Sequence, residues 1–259
     1  MTILNFATKI LNLCKYIIIM LDNLNVHKVL FIDIETVPQH QCIEELNERE
    51  RNLWNKKAQY VSQQGMDEEE TYSRAGIYSE FGKIVCISAG HIFDEGDRRA
   101  FRVKSFYNDN EKTLLEEFNN TVSLFFRKKG WMICTHNGQE FDIPYIARRS
   151  IINKVALPKV FQIGGLKPWE LGRHFIDTMQ LWKFGDYKRY TSLELLCHVL
   201  DVPSPKNNID GSEVNNVYWK EKDLKRIVEY CQLDVLATAN ILLRYIGDAI
   251  LHKDNLIES

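Results

Sequence analysis

The run Val29-Leu30-Phe31-Ile32-Asp33-Ile34-Glu35-Thr36 constrains the chain more than any other stretch. It is short, almost wholly apolar, and ends in two carboxylates one residue apart. Such a run predicts a central strand covered on both faces. Side chains alternate across a strand, so Asp33 and Glu35 share one face while Ile32 and Ile34 share the other. Two carboxylates on a buried face repel one another and lose solvation unless a cation neutralises them. A divalent metal ion is therefore the first expectation. The run alone fits equally a strand that surfaces at its end and leaves both acids in water.

The rest of the chain bounds the class. At 259 residues it is long enough for one large domain with insertions. A hydrophobic content of 45% and a charged content of 26% are those of an ordinary globular protein. The formal net charge of −2 means that a nucleic-acid partner needs a local basic patch. The six cysteines are scattered, without a C-x-x-C pair, which speaks against a zinc site and a disulfide framework and fits a reducing, cytoplasmic compartment. The apolar stretch from Tyr16 to Leu21 is too short to span a bilayer, and no membrane association is expected. Residues 1–25 are expected to be an N-terminal extension, with Met20 as the functional start. The organised domain is expected over 26–250.

Past Pro38 a helix is predicted over 41–64, inside an acidic helical insertion at about 41–75 that carries Glu44, Glu45, Glu48, Glu50, Glu68, Glu69 and Glu70. Strands are predicted over 84–92 and 101–106, joined by a turn at Asp94-Glu95-Gly96-Asp97. Asn110 caps a helix over 111–128, Gly130 ends it, and a strand follows over 131–135. Strands, a helix and a further strand make an α/β pattern with a mixed sheet. Ligands in such sheets bind beyond the carboxyl ends of the parallel strands, which directs attention to the loop from His136 to Tyr145. There Asp142 opens a helix, and as a single residue it fits a cap as well as a ligand. From 148 to 190 the chain is locally basic and rich in aromatics, a composition that suits a phosphate backbone and stacked bases or an ordinary solvated rim. Asp177 fits a turn or cap role, or a further acid near the site. Thr191-Ser192-Leu193-Glu194 reads as a capping box. The last helix is predicted over 223–246, with Tyr230 and Asp234 four residues apart on one face.

Three motifs thus occur in order: Asp33-Ile34-Glu35, Asn137-x-x-x-Phe141-Asp142, and Tyr230-x-x-x-Asp234. Together they resemble the DEDD superfamily of 3′–5′ exonucleases, in the branch that carries a tyrosine four residues before the last aspartate. The histidine-bearing branch has a histidine five residues before that aspartate, where this chain has Glu229. Phe141-Asp142-Ile143-Pro144-Tyr145 and Tyr230-Cys231-x-x-Asp234-Val235 are similar to stand-alone predicted exonucleases related to the proofreading domain of family B DNA polymerases. The resemblance implies an α/β, ribonuclease H-like fold, a mixed β-sheet flanked by helices. It implies a 3′–5′ exonuclease with two Mg²⁺ or Mn²⁺ ions held by Asp33, Glu35, Asp142 and Asp234, and with Tyr230 orienting the attacking water. Asn137 and Phe141 would contact the terminal nucleotide. Arg148 and Lys206 would hold the backbone. The expected partner is nucleic acid, DNA ahead of RNA, with the enzyme working alone or beside a separate polymerase or repair protein. An exoribonuclease and a catalytically idle nucleic-acid-binding domain are the alternatives.

Overall fold

The computed structural model describes residues 21, 24–62, 65–172, 175–186, 190–204, 209 and 211–259. Most of the expected N-terminal extension, Met20 included, lies outside them, as does Lys206. Six strands form one sheet: β1 Val29–Pro38, β2 Gly82–Glu95, β3 Arg98–Tyr107, β4 Met132–Thr135, β5 Phe175–Asp177 and β6 Leu256–Glu258. Their spatial order is β5-β4-β1-β2-β3-β6. β1 runs antiparallel to β2 and parallel to β4, which runs parallel to β5. The sheet is mixed and helices flank it, the α/β, ribonuclease H-like arrangement that the sequence implies.

The helices of six residues or more among the described residues are α1 Glu48–Val61, α2 Glu68–Ser73, α3 Glu111–Phe125, α4 Asp142–Ile152, α5 Thr178–Lys183, α6 Leu193–Val199 and α7 Leu224–Tyr245. Alternation along β1 decides which helix each residue meets. Leu30, Ile32 and Ile34 enter a core with Leu114, Phe118, Ile143 and Ile146 of α3 and α4. Val29 and Phe31 enter a second core with Val235, Leu236, Ala239 and Leu242 of α7. Val29, Phe31 and Ile32 are almost wholly buried, each worth roughly 1.5–3 kcal/mol relative to exposure. The same alternation carries Asp33 and Glu35 onto the α7 face. β1 and β4 are parallel with Phe31 opposite Cys134, so β4 ends level with the middle of β1 and the loop after it opens beside the two acids.

The helix expected over 41–64 is broken. Ile43–Glu45 form one 3₁₀ turn and α1 begins at Glu48. The reason is a capping box in which the Asn47 side chain accepts from Glu50 N and Glu50 from Asn47 N. Likewise the cap of α6 is Ser192, one residue later than Thr191, and it accepts from Leu195 N. The sheet also continues past the expected boundary at 250. β6 pairs in parallel with β3 at Phe101, Arg102 and Val103 and covers its edge.

Candidate active site

Asp33 and Glu35 sit on β1 one pleat apart; Glu35 is buried at 7% exposure and Asp33 is half-buried. α7 crosses directly over them. Its Cys231 thiol donates to Asp33 Oδ2 at 3.4 Å, and the liganding atoms of Asp33, Glu35 and Cys231 all lie within 4.8 Å of one another. One turn of α7 separates Tyr230 from the buried Asp234, and both side chains line the same cleft. Asp142 is the first residue of α4, with Phe141 as its cap, so the carboxylate stands at a helix N-terminus rather than capping it. It is buried, and Ile143 beside it packs in one core with Ile32 and Ile34 of β1.

Asp33, Glu35, Asp142, Tyr230 and Asp234 line one cleft of about 400 Å³ with Asn137, Phe141 and Tyr190. No lysine or arginine is among its described lining residues. His136 also borders the cleft, but burial foremost holds its imidazole below its ordinary value. Its ring nitrogens engage the Thr178 hydroxyl and the Thr191 carbonyl, each at 2.9 Å. The electrostatic consequence is large. Burial first, then Asp234 and Asp142, push Asp33 well above the usual carboxylate range. Burial, then Asp33 and Asp234, do the same to Glu35. Burial pushes Asp142 up to about 8, with Asp177 and Asp234 adding and backbone N–H groups opposing. Burial and the neighbouring acids also raise Tyr230. A cluster of acids that cannot ionise together without a counter-charge fits divalent cations, and its hard oxygen donors fit Mg²⁺ or Mn²⁺.

The loop beside the cleft is built by Asp177, the last residue of β5. Its Oδ1 accepts from Asn137 N at 3.0 Å, Met179 N at 3.0 Å and Gln180 N at 3.1 Å, and its Oδ2 from Gln139 N at 3.0 Å. One carboxylate therefore caps α5 and clamps the loop, which is the cap role rather than a further acid in the cleft. Asn137 takes a left-handed φ of 61°, and its buried side-chain Oδ1 has no hydrogen-bond partner among the described residues. Gly138 lies so close to Thr135 that a Cβ would come within 2.4 Å of that side chain. Phe141 is half-buried, its ring 5.3 Å from that of Tyr145.

One expected phosphate contact is not brought together with this cluster. Arg148 is exposed on α4 and does not line the cleft, because the inward phase of the helix falls on its neighbour. Arg149 is buried instead and pairs with Glu111. Lys206 lies outside the described residues. The sequence names Cys231 as part of the motif Tyr230-Cys231-x-x-Asp234-Val235 but assigns it no contact with the acids. The signal for its contact with Asp33 is its position directly after Tyr230 and three residues before Asp234, the inner side of the same turn.

A family model described as predicted 3′–5′ exonuclease related to the exonuclease domain of PolB matches residues 77–254. That segment contains Asn137, Phe141, Asp142, Tyr230 and Asp234, and begins after Asp33 and Glu35. Among solved structures, the family B DNA polymerase from the hyperthermophilic archaeon Pyrobaculum calidifontis is similar in fold, with a TM-score of 0.50 and 16% identity. The likeness covers 85% of this chain and 24% of the polymerase, so the chain spans about a quarter of that protein. No curated protein matches the chain. No helix among the described residues is long and apolar enough to cross a membrane.

Proposed function

The chain belongs to the family of predicted 3′–5′ exonucleases related to the exonuclease domain of PolB, and we propose that it hydrolyses phosphodiester bonds from the 3′ end of single-stranded DNA. The observation that carries this reading is the convergence of Asp33, Glu35, Asp142 and Asp234 on one cleft whose described lining holds no lysine or arginine. The four carboxylates would hold Mg²⁺ or Mn²⁺, two ions in all. When bound, such ions lower the pKa of a water and neutralise charge on the reacting phosphate oxygens. The family's metal dependence and the acid cluster support this. Tyr230 keeps its proton at neutral pH, since its surroundings raise it above the ordinary phenol value. Its role is to orient the attacking water, not to take a proton from it. Asn137 offers the terminal nucleotide a buried acceptor that no described residue engages, and Phe141 an apolar side chain in the cleft wall. A cleft of about 400 Å³ takes a ligand of nucleotide size. The enzyme acts alone or beside a separate polymerase or repair protein.

The test is digestion of 5′-labelled single-stranded DNA and a matched RNA with Mg²⁺, Mn²⁺ or EDTA, with Asp33→Ala and Asp234→Ala beside the parent protein. The expected result is a DNA ladder shortening from the 3′ end, abolished by EDTA and slowed about 10³-fold in each variant, as loss of several kcal/mol of charge stabilisation requires. Digestion of RNA alone would reassign the substrate. Inert folded protein, or cleavage that survives Asp33→Ala, would overturn the reading.

A further inference from the structure

A bound strand needs cations along its backbone, and among the described residues the lining of the cleft holds no lysine or arginine. A second cavity of about 380 Å³ lies beside it, lined by Lys83, Asp109, Tyr218, Trp219, Lys222 and Leu224. Lys83 pairs with Val37 across the β1–β2 ladder, and Val37 is two residues beyond Glu35, a strand distance of about 7 Å. Trp219 Nε1 donates to the Pro38 carbonyl at 3.2 Å, and Trp219 and Tyr230 pack against the same apolar cluster. The cavity therefore borders the carboxyl end of the strand that carries the acids.

Its construction is specific. The Lys83 ammonium lies 4.7 Å from the Trp219 ring centroid and that of Lys222 4.9 Å from it. Lys83 Nζ also donates to the Tyr218 hydroxyl at 2.9 Å, which in turn donates to Asp109 Oδ1 at 2.8 Å. That chain fixes Lys83, while Lys222 is exposed. Lys222 has a left-handed backbone, φ 57° and ψ 32°, directly after the π-helical turn Val217–Glu221. A left-handed lysine is strained relative to glycine, and π-helical turns are frequent at functional sites. Here the irregular turn brings the half-buried indole within 4.9 Å of two ammonium groups.

We propose that this cavity is a second nucleotide subsite, in which Trp219 stacks a base of the single strand while Lys83 and Lys222 hold the adjoining phosphates. The inference rests on the exonuclease reading. With the 3′-terminal nucleotide in the acidic cleft, all other nucleotides lie on its 5′ side, and the subsite takes one of the first few of them. A base over the indole displaces the exposed Lys222 from the ring toward a phosphate, whereas Lys83 stays tethered through Tyr218. Stacking on an aromatic ring tolerates any base, so the subsite adds affinity without sequence preference.

The experiment measures kcat/KM for 3′-end hydrolysis of oligodeoxynucleotides from two to eight nucleotides, in Mg²⁺, for the parent, Trp219→Ala and Lys222→Gly. Glycine suits the left-handed backbone, so Lys222→Gly removes the charge while keeping the fold, and it decides the matter should Trp219→Ala fold poorly. The parent is expected to gain in kcat/KM with length, chiefly through KM, and each variant to lose about tenfold or more of that gain. A 2-aminopurine scanned through the first five positions from the 3′ end should show one position quenched in the parent and released in Trp219→Ala. A parent without length dependence, or variants that keep it with unchanged quenching, would overturn the subsite and leave the exonuclease reading intact. No hydrolysis by the parent at any length would count against the exonuclease reading and take the subsite with it.

Discussion

The Sγ of Cys231 lies 3.4 Å from Asp33 Oδ2 and 3.5 Å from the Asp33 main-chain oxygen. A thiol donor at that carboxylate favours its ionised form, against burial and the charges of Asp234 and Asp142. Cys231→Ala removes the donor, so Asp33 gives up its proton less readily to an incoming cation. With about 1 kcal/mol for a weak donor on a charged acceptor, the Mn²⁺ concentration for half-maximal activity should rise about fivefold, and Cys231→Ser should restore most of it. Titration of activity against Mn²⁺ in the three proteins checks this; coincident curves would remove Cys231 from the account.

The acids also make stability depend on pH and metal together. In the unfolded chain carboxyl groups ionise near pH 4, whereas in the folded protein Asp33 and Glu35 are raised well above that and Asp142 reaches about 8. Between those limits the folded state binds more protons than the unfolded one, so metal-free stability is fully present below pH 4 and falls as pH rises toward 8. Cations bind the deprotonated set, so their stabilisation grows over the same interval. Melting in EDTA should show Tm falling from pH 5 to pH 8, and the gap to melting in Mn²⁺ should widen. Asp142→Asn should raise the EDTA Tm at pH 8 by roughly 2–4 °C for each kcal/mol relieved. A gap of the same size at both pH values would contradict this electrostatic account.

What could be read from the sequence was whatever local periodicity determines. A repeat of two puts Asp33 and Glu35 on one face of β1, and a repeat of 3.6 puts Tyr230 and Asp234 on one face of α7. The break before α1 was also written in the chain, as Asn47 and Glu50, but the surrounding charges read as one continuous helix. Contacts between distant segments were not legible. That Cys231 meets Asp33 depends on how α7 docks across β1, and that Asp177 holds the backbone of Asn137 depends on β4 and β5 being neighbours. β6 is three residues long and pairs with a strand some 150 residues earlier, too short and too remote to leave a pattern.

Arg148 and Arg149 separate by helical phase, and the difference should be plain in stability. Arg149 and Glu111 are both buried; Arg149 Nε donates to Glu111 Oε1 at 2.9 Å, and Arg149 Nη1 to the Ser79 carbonyl at 2.9 Å. Glu111 also accepts from Ile84 N at 2.7 Å and Asn153 Nδ2 at 2.8 Å, so α3, α4 and β2 meet at one carboxylate. Arg149→Ala strands that charge in the core and should lower the unfolding free energy by about 3–5 kcal/mol in urea titration. Arg148→Ala, on the exposed side, should stay within about 0.5 kcal/mol of the parent. A large rise in KM for Arg148→Ala would return that residue to the substrate contact expected from sequence.

Asp177 joins the stability of the fold to the shape of the cleft. Its buried carboxylate accepts four backbone N–H groups, two from the start of α5 and two from the loop that presents Asn137. Alanine leaves all four donors without this partner, and a cost of about 3 kcal/mol or more follows from a lost cap and a charged acceptor withdrawn from the interior. Asparagine keeps one acceptor oxygen and should cost less. Loosening the loop displaces Asn137 and Phe141 at the mouth of the cleft, and small misplacements of positioning groups cost up to about 10²-fold in rate. The carboxylate also adds to the forces holding Asp142 up at about 8, so Asp177→Asn should bring Asp142 down toward the ordinary range. The acidic limb of the pH–rate profile should accordingly move to lower pH in Asp177→Asn while kcat/KM falls. A profile unmoved in pH but reduced in height would mean that Asp177 acts on the loop alone.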